Sequence, residues 1–172
     1  ERPGSEEMRC GMFIRHYDSP LGRILLAADE RGLTGLWFEG QKYFASGLDK
    51  KETEDKETPV LKQTKEWLDL YFVGKEPEFL PPLAPEGSEF QKKVWKILLM
   101  IPYGKTMTYG EIGRKVAEMS GKKTMSAQAV GGAVGHNPIS ILIPCHRVVG
   151  TNGYVWDVCA EERDGAVAGK YE

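Results

Sequence analysis

The chain has 172 residues, of which 41% are apolar and 28% charged, and its formal net charge is −2. This composition fits one large or two small folded domains and excludes a disordered chain. No apolar run approaches the roughly 20 residues of a spanning helix, and Glu1–Glu7 lack the apolar stretch of a secretory signal. Three cysteines without a C-x-x-C pair exclude a disulfide framework and a cysteine-rich zinc site, so a reducing, cytoplasmic setting and no metal are expected.

Residues 1–11 read as a leader, and a domain pattern begins at residue 12. Phe13–Tyr17 and Ile24–Ala28 predict strands joined by the turn Asp18-Ser19-Pro20-Leu21-Gly22. After a second turn at Asp29–Gly32, Leu33–Phe38 predicts a third strand, with β-favouring Trp37 and Phe38. Residues 49–58 read as a charged connector. Thr58 and Pro59 supply a helix N-cap and first helical position. Val60, Leu61, Trp67, Leu68, Tyr71 and Phe72 follow, mostly at helical spacing, and Gly74 ends the segment. An amino-terminal αβ domain, antiparallel sheet plus helix, is therefore expected over residues 12–80. Prolines crowd residues 75–87 and exclude helix or central strand, which places a linker at 81–87.

Ser88 opens an amphipathic helix carrying Phe90, Val94, Trp95, Ile97, Leu98 and Ile101, which Pro102-Tyr103-Gly104 stops. Thr108 caps a helix from about Tyr109 to Met119, and Ser126 caps another, Ala127–Gly135. Asn137-Pro138 breaks it, because the residue before proline avoids the helical region. Ile139–Ile143 predicts a buried strand running into Pro144-Cys145-His146-Arg147. Three short helices, a strand and a loop predict a helix-turn-helix module with a wing over residues 88–153. The fold class is thus α+β, with residues 154–172 as a separate carboxy-terminal tail.

Charge is distributed unevenly. Residues 1–90 carry net −6, residues 91–153 net +7 and residues 154–172 net −3. A basic block in an acidic protein is the footprint of a phosphate-binding face, although solvated lysines on a helix give the same pattern. The helix Ala127–Gly135 consists almost entirely of small residues. Its glycines Gly131, Gly132 and Gly135 each cost about 1 kcal/mol relative to alanine. Two compensations are open: tight packing on a neighbouring helix, or close approach to a DNA backbone.

Cys145 follows a proline and precedes His146 and Arg147. Cationic neighbours raise the thiolate fraction of a cysteine, and a histidine can serve as its base. A reactive thiol and an inert core thiol remain alternatives on this local pattern.

Three longer runs extend the pattern. They are Pro102-Tyr103-Gly104-Lys105-Thr106-Met107-Thr108-Tyr109-Gly110-Glu111-Ile112, the stretch Ser126 to Ile139, and Leu142-Ile143-Pro144-Cys145-His146-Arg147-Val148-Val149-Gly150. With the Asp18–Gly22 turn, they closely resemble the O6-alkylguanine-DNA alkyltransferase family, the methylated-DNA–protein-cysteine methyltransferases. The resemblance covers roughly residues 12–153.

The resemblance implies an αβ domain followed by a winged-helix domain, without cofactor or metal. It implies DNA repair by irreversible, single-turnover transfer of a methyl or alkyl group from O6 of guanine, with O4 of thymine a further donor, onto Cys145. The base must leave the duplex to be reached. His146 resembles the general base, acting through water. Tyr109 resembles the residue that donates to guanine N3 and helps it depart. Asn137 resembles a hinge between recognition helix and active-site turn. Thr108, Tyr109, Gln128, Ala129, Gly132 and Arg147 fall at DNA-binding positions, with Arg147 bracing helix and wing. Tyr109, Val134, Pro138 and Val148 fall at the guanine pocket. The family usually carries arginine where Gln128 stands, to fill the place of the flipped base; glutamine brings hydrogen bonds without charge. The implied partner is double-stranded DNA carrying O6-alkylguanine, with no membrane and a monomeric protein.

Beyond Gly153 the family's Gly-Tyr-x-Gly-Gly-like run and amphipathic helix are missing. The tail reads as a replacement, as from a shifted reading frame near Tyr154, or as natural divergence. No carboxylate behind His146 is assigned. An alternative function is therefore a module that binds alkylated DNA with impaired or no transfer. A Cys-His hydrolase is disfavoured by the adjacency of the pair and the lack of a third group, and a zinc site by the absence of ligand spacing.

Overall fold

Strands β1 (Met12–Ser19), β2 (Gly22–Asp29) and β3 (Gly32–Phe38) form an antiparallel meander in the computed structural model. It describes residues 11–41, 43–48 and 52–150. The leader up to Cys10 and the tail from Tyr154 lie outside the described residues. The first turn is tight: Ser19 pairs with Gly22, and its hydroxyl donates to the Gly22 carbonyl at 2.6 Å while accepting from the Leu21 amide at 3.1 Å. Asp29 holds the second turn by accepting from the Arg31 amide at 2.8 Å.

A fourth strand, β4 (Thr53–Asp55), runs parallel to Met12–Ile14 and gives the order β3-β2-β1-β4. It lies within the expected connector. All three residues are exposed, so no apolar alternation marks the strand. Backbone pairing holds it, with an Arg15–Asp55 ion pair at 3.0 Å.

The middle strand is buried on both faces. Leu25 and Ala27 cluster with Met12 and Trp37, under Ala45 and Leu48. The alternate residues Ile24, Leu26 and Ala28 point to the opposite face. Helix α1 (Pro59–Phe72) packs on the sheet and buries Leu61, Thr64, Trp67, Leu68, Tyr71 and Phe72. Thr58 caps it, its hydroxyl accepting from the Leu61 amide at 3.3 Å. The proline-rich segment runs beside β3: the Leu33 amide donates to the Pro82 carbonyl at 2.8 Å, and the Ala84 amide to the Leu33 carbonyl at 2.7 Å. The boundary between the two compact units falls between Pro85 and Glu86.

The second unit is helical. Helices α2 (Glu89–Leu98), α3 (Tyr109–Met119) and α4 (Ala127–Gly135) are capped by Ser88, Thr108 and Ser126, each accepting a backbone N–H on its hydroxyl. They pack on one another through Val94, Trp95, Ile97, Leu98, Ile112, Val116, Val130, Ala133 and Val134, all buried. The Trp95 indole N–H donates to the Ala133 carbonyl at 2.9 Å and ties α2 to α4. A small parallel pair, β5 (Met107–Thr108) with β6 (Val148–Val149), closes the unit.

The strand expected over Ile139–Ile143 does not form. The segment is a buried turn, and Ile141 has φ +72°. Its apolar run does reflect burial, but an apolar run alone does not separate strand from turn. Local bonds satisfy the backbone here instead of a sheet ladder: Leu142 N–H donates to the Ser140 carbonyl at 2.8 Å and Ile143 N–H to the Ile139 carbonyl at 3.1 Å.

Candidate active site

Cys145, His146 and Arg147 form one turn of 3₁₀ helix directly before β6. The Cys145 thiol and the His146 ring are both buried. Pro144 precedes them with φ −81° and ψ 73°, and the Cys145 amide donates to the Ile143 carbonyl at 2.8 Å. These angles and that bond define an inverse γ-turn at Pro144. The proline ring presets φ, so the chain enters the cysteine turn in one conformation.

Asn137 holds the other end. It is buried just after α4. Its side-chain carbonyl accepts from the Ile139 amide at 2.9 Å, and its side-chain N–H donates to the Ile143 carbonyl at 2.6 Å. One amide group thus ties the end of α4 to the segment that carries Cys145. Ile143 was invisible to sequence reasoning because it acts through its carbonyl, which every residue has.

Arg147 faces inward. Its guanidinium donates to the Ile101 carbonyl at 2.8 Å and lies 5.6 Å from the centre of the Tyr103 ring. The cysteine turn is thereby fastened to the chain just after α2. In the sequence Tyr103 marks a helix stop within a family-like run; an aromatic residue in a turn gives no signal of a cation seat.

Tyr109 begins α3 and is half-buried. Its ring edge lies 3.9 Å from where a Cβ on Gly131 would stand, so it rests against α4. The β5–β6 pair sets its register: Met107 pairs with Val148 and Thr108 with Val149. Tyr109 and the cysteine turn are therefore held by adjacent residues of one strand pair. Thr108 and Glu111 form a capping box, with the Thr108 hydroxyl accepting from Glu111 N–H at 3.0 Å and the Glu111 carboxylate from Thr108 N–H at 2.9 Å. The Thr108 backbone bond holds the Glu111 carboxyl below its ordinary range, partly offset by desolvation; the Thr108 hydroxyl and the charges of Arg114 and Lys115 act in the same direction as the backbone bond.

Helix α4 shows one bare face. Gln128, Ala129 and Gly132 are exposed, whereas Val130, Ala133 and Val134 are buried. A Cβ built on Gly132 or Gly135 meets nothing within 4 Å, and one on Gly131 meets only Tyr109. Tight packing inside the protein therefore does not explain these glycines. Within α4 Gln128 is the only residue with a polar side chain, and no residue of the helix is charged. Exposed cations lie on the chain before it, among them Lys105, Arg114, Lys115, Lys122 and Lys123. Of the expected pocket residues, Val148 and Val134 are buried and Pro138 is half-buried. Among the described residues no cluster of three or more His, Cys, Asp or Glu side chains could hold a metal ion. No described helix is long and apolar enough to cross a membrane.

Two family models match the chain. Residues 12–85 match the ribonuclease-like domain of 6-O-methylguanine DNA methyltransferase, and residues 89–165 match its DNA binding domain. The second match reaches into the segment read as atypical. A methylated-DNA–protein-cysteine methyltransferase of Methanosarcina acetivorans is 42% identical over 147 residues, covering 83% of this chain and 86% of that protein. The constitutive one of Bacillus subtilis is 36% identical over 135 residues, covering 78% and 79%. Among solved structures, Mycobacterium tuberculosis OGT in complex with DNA is 34% identical with a TM-score of 0.72, covering 91% of this chain and 96% of that one. The O6-methylguanine methyltransferase of the same organism is 37% identical with a TM-score of 0.69, covering 93% and 88%.

Proposed function

The chain belongs to the methylated-DNA–protein-cysteine methyltransferase family, and on that premise we propose that Cys145 is the acceptor in a single-turnover repair of O6-alkylguanine in DNA. The activity itself, DNA repair by alkyl transfer, is that of the family. The observation that carries the assignment to Cys145 is the Asn137 bridge from the bare-faced helix α4 to the cysteine turn. A DNA-reading surface and a buried thiol are mechanically one piece.

The reaction balances without a cofactor. The Cys145 sulfur attacks the alkyl carbon, an S–C bond forms, and the C–O6 bond breaks with its electron pair passing to guanine. The thiol proton leaves through His146 and water, and the departing guanine takes up one proton. Tyr109 donates a hydrogen bond to the guanine ring and lowers the cost of its departing charge. Val148, Val134 and Pro138 shape the base site. The thioether has no route back, so each chain acts once. Thymine alkylated at O4 fits the same chemistry, since it too leaves with the charge spread over an amide-like group.

The glycines of α4 support its placement against the groove, with Ala129 and Gly132 at the closest approach. Small residues suit the narrow minor groove. Gln128 reaches into the space of the extruded base and can donate or accept there. Thr108 completes the contact at the start of α3, and Arg147, seated on Ile101 and Tyr103, holds turn and helix together. Exposed lysines and arginines supply the phosphate contacts. The proposed acting form is a monomer, and the proposed place of action is the cytoplasm. Alkylated-DNA binding without transfer is the less favoured reading, since the chain retains the cysteine.

A restriction site blocked by one O6-methylguanine tests this. Stoichiometric protein restores cleavage, one site per chain. A Cys145→Ala chain that restores cleavage equally contradicts the assignment.

A further inference from the structure

Ile141 lies between the two halves of the site and in an unfavourable conformation. Its φ is +72°, and its side chain is 1% exposed. Positive φ is costly for any residue with a Cβ and worst for a β-branched one. The Leu142 amide donates back to the Ser140 carbonyl at 2.8 Å. An i+2 to i bond around a residue with positive φ is the rare, strained form of the γ-turn. The strained turn is therefore a built feature of the segment, and something must hold it.

Asn137 holds it. Its two bonds grip Ile139 and Ile143, the residues two before and two after Ile141. The Ile143 amide closes the same loop on the Ile139 carbonyl at 3.1 Å. If Ile141 relaxed to negative φ, the γ-turn would pass to its mirror-related form, the course of the chain through it would change, and the Ile143 carbonyl would turn away. That carbonyl also accepts the Cys145 amide at 2.8 Å. The place of the sulfur thus depends on the backbone angle of Ile141.

We propose that Ile141 is a positioning residue for the transfer: its strained left-handed backbone aims the Cys145 turn, and the Asn137 side chain supplies the restraint that keeps it there. The inference rests on Cys145 being the acceptor. It assigns Asn137 a task beyond linking helix and turn, namely to oppose the strain at Ile141. Removing the strain must then reduce the need for the restraint.

A double-mutant cycle tests this, read as the single-turnover methyl-transfer rate at saturating O6-methylguanine duplex, with duplex affinity measured separately. Asn137→Ala lowers the rate. Adding Ile141→Gly restores it by about tenfold, because glycine adopts positive φ without strain of this size. Adding Ile141→Ala instead removes nearly the same side chain but keeps a Cβ, and restores the rate by no more than about twofold. Rescue is unexpected if Ile141 only fills space, since a cavity adds to the damage. Losses that multiply in the Gly cycle, or equal rescue by Gly and Ala, overturn the proposal.

Hydrogen exchange at the Leu142 and Cys145 amides provides a second readout independent of transfer. Their protection falls in Asn137→Ala and returns in the Asn137→Ala, Ile141→Gly chain. Unrecovered protection in a folded double variant also overturns the proposal. If the unaltered chain transfers no methyl group, the reading of Cys145 as acceptor fails, while the exchange comparison still decides what Ile141 does.

Discussion

Asn137 and Cys145 donate to the same acceptor, the carbonyl oxygen of Ile143, from 2.6 Å and 2.8 Å respectively. The first bond comes from the end of the exposed helix and the second from the residue that holds the thiol. A shift of α4 is therefore felt at Cys145 through one atom. On the proposed reading, this bond pair and the β5–β6 pair keep the acceptor thiol in register with the short, glycine-rich helix.

Asn137→Asp tests the shared carbonyl. It keeps the shape but turns the donor at 2.6 Å into an acceptor facing a carbonyl. The loss exceeds that of a missing hydrogen bond, because two acceptors are left opposed in a buried site. Urea unfolding is expected to show a loss of about 3 kcal/mol or more. Asn137→Ala costs less, about 1–3 kcal/mol.

The glycines of α4 predict opposite effects on stability and binding. A Cβ at Gly132 meets nothing within 4 Å. Gly132→Ala is expected to stabilise the protein by about 1 kcal/mol through helix propensity. It weakens affinity for lesion duplex, because the added methyl group stands where the groove wall comes close. Thermal unfolding and duplex titration on the same sample check both signs. A stabilised variant with unchanged affinity removes Gly132 from the interface.

Phosphate contacts are assigned to the exposed turn after α3. Lys122→Ala and Lys123→Ala are each expected to weaken binding to every duplex alike, lesion or not. Each lowers the slope of log K against log salt by about 0.9. The transfer rate at saturating duplex is unaffected. Titrations over a range of salt concentrations measure the slopes.

Glu111 links the start of α3 to pH. Its folded carboxyl is held below the ordinary range, chiefly by the Thr108 backbone N–H. The sign follows: the stabilisation is fully present above the unfolded pKa and is lost as pH falls through the lowered folded value. Acid destabilisation is expected to be shallower in Glu111→Gln, which keeps the capping geometry without the charge. Melting temperatures from neutral pH down through the carboxylate range measure it. Identical slopes in both proteins contradict the capping assignment.

Where a feature depended on side-chain type, it was legible in the sequence. Ser88, Thr108 and Ser126 marked three helix starts because their hydroxyls do the capping. Cys145, His146 and Asn137 stood out as chemical types in a recognised pattern. Apart from the Tyr103 ring under Arg147, what escaped was carried by the backbone. β4 pairs through exposed charged residues, and charged residues signal a connector. Ile139–Ile143 looks like a strand because burial alone sets its composition. The positive φ of Ile141 had no marker, since glycine or asparagine would be the usual sign. The Ile101 and Ile143 carbonyls are common to all residues, and only their positions make them part of the site.

Intact mass after incubation with a duplex containing one O6-methylguanine tests the central claim most directly. The account predicts one added methylene unit per chain, on the peptide carrying Cys145, with no addition in Cys145→Ala. An unchanged mass with selective binding of the lesion would contradict transfer and leave a lesion-binding protein. A methyl group on another residue would contradict the assignment of Cys145.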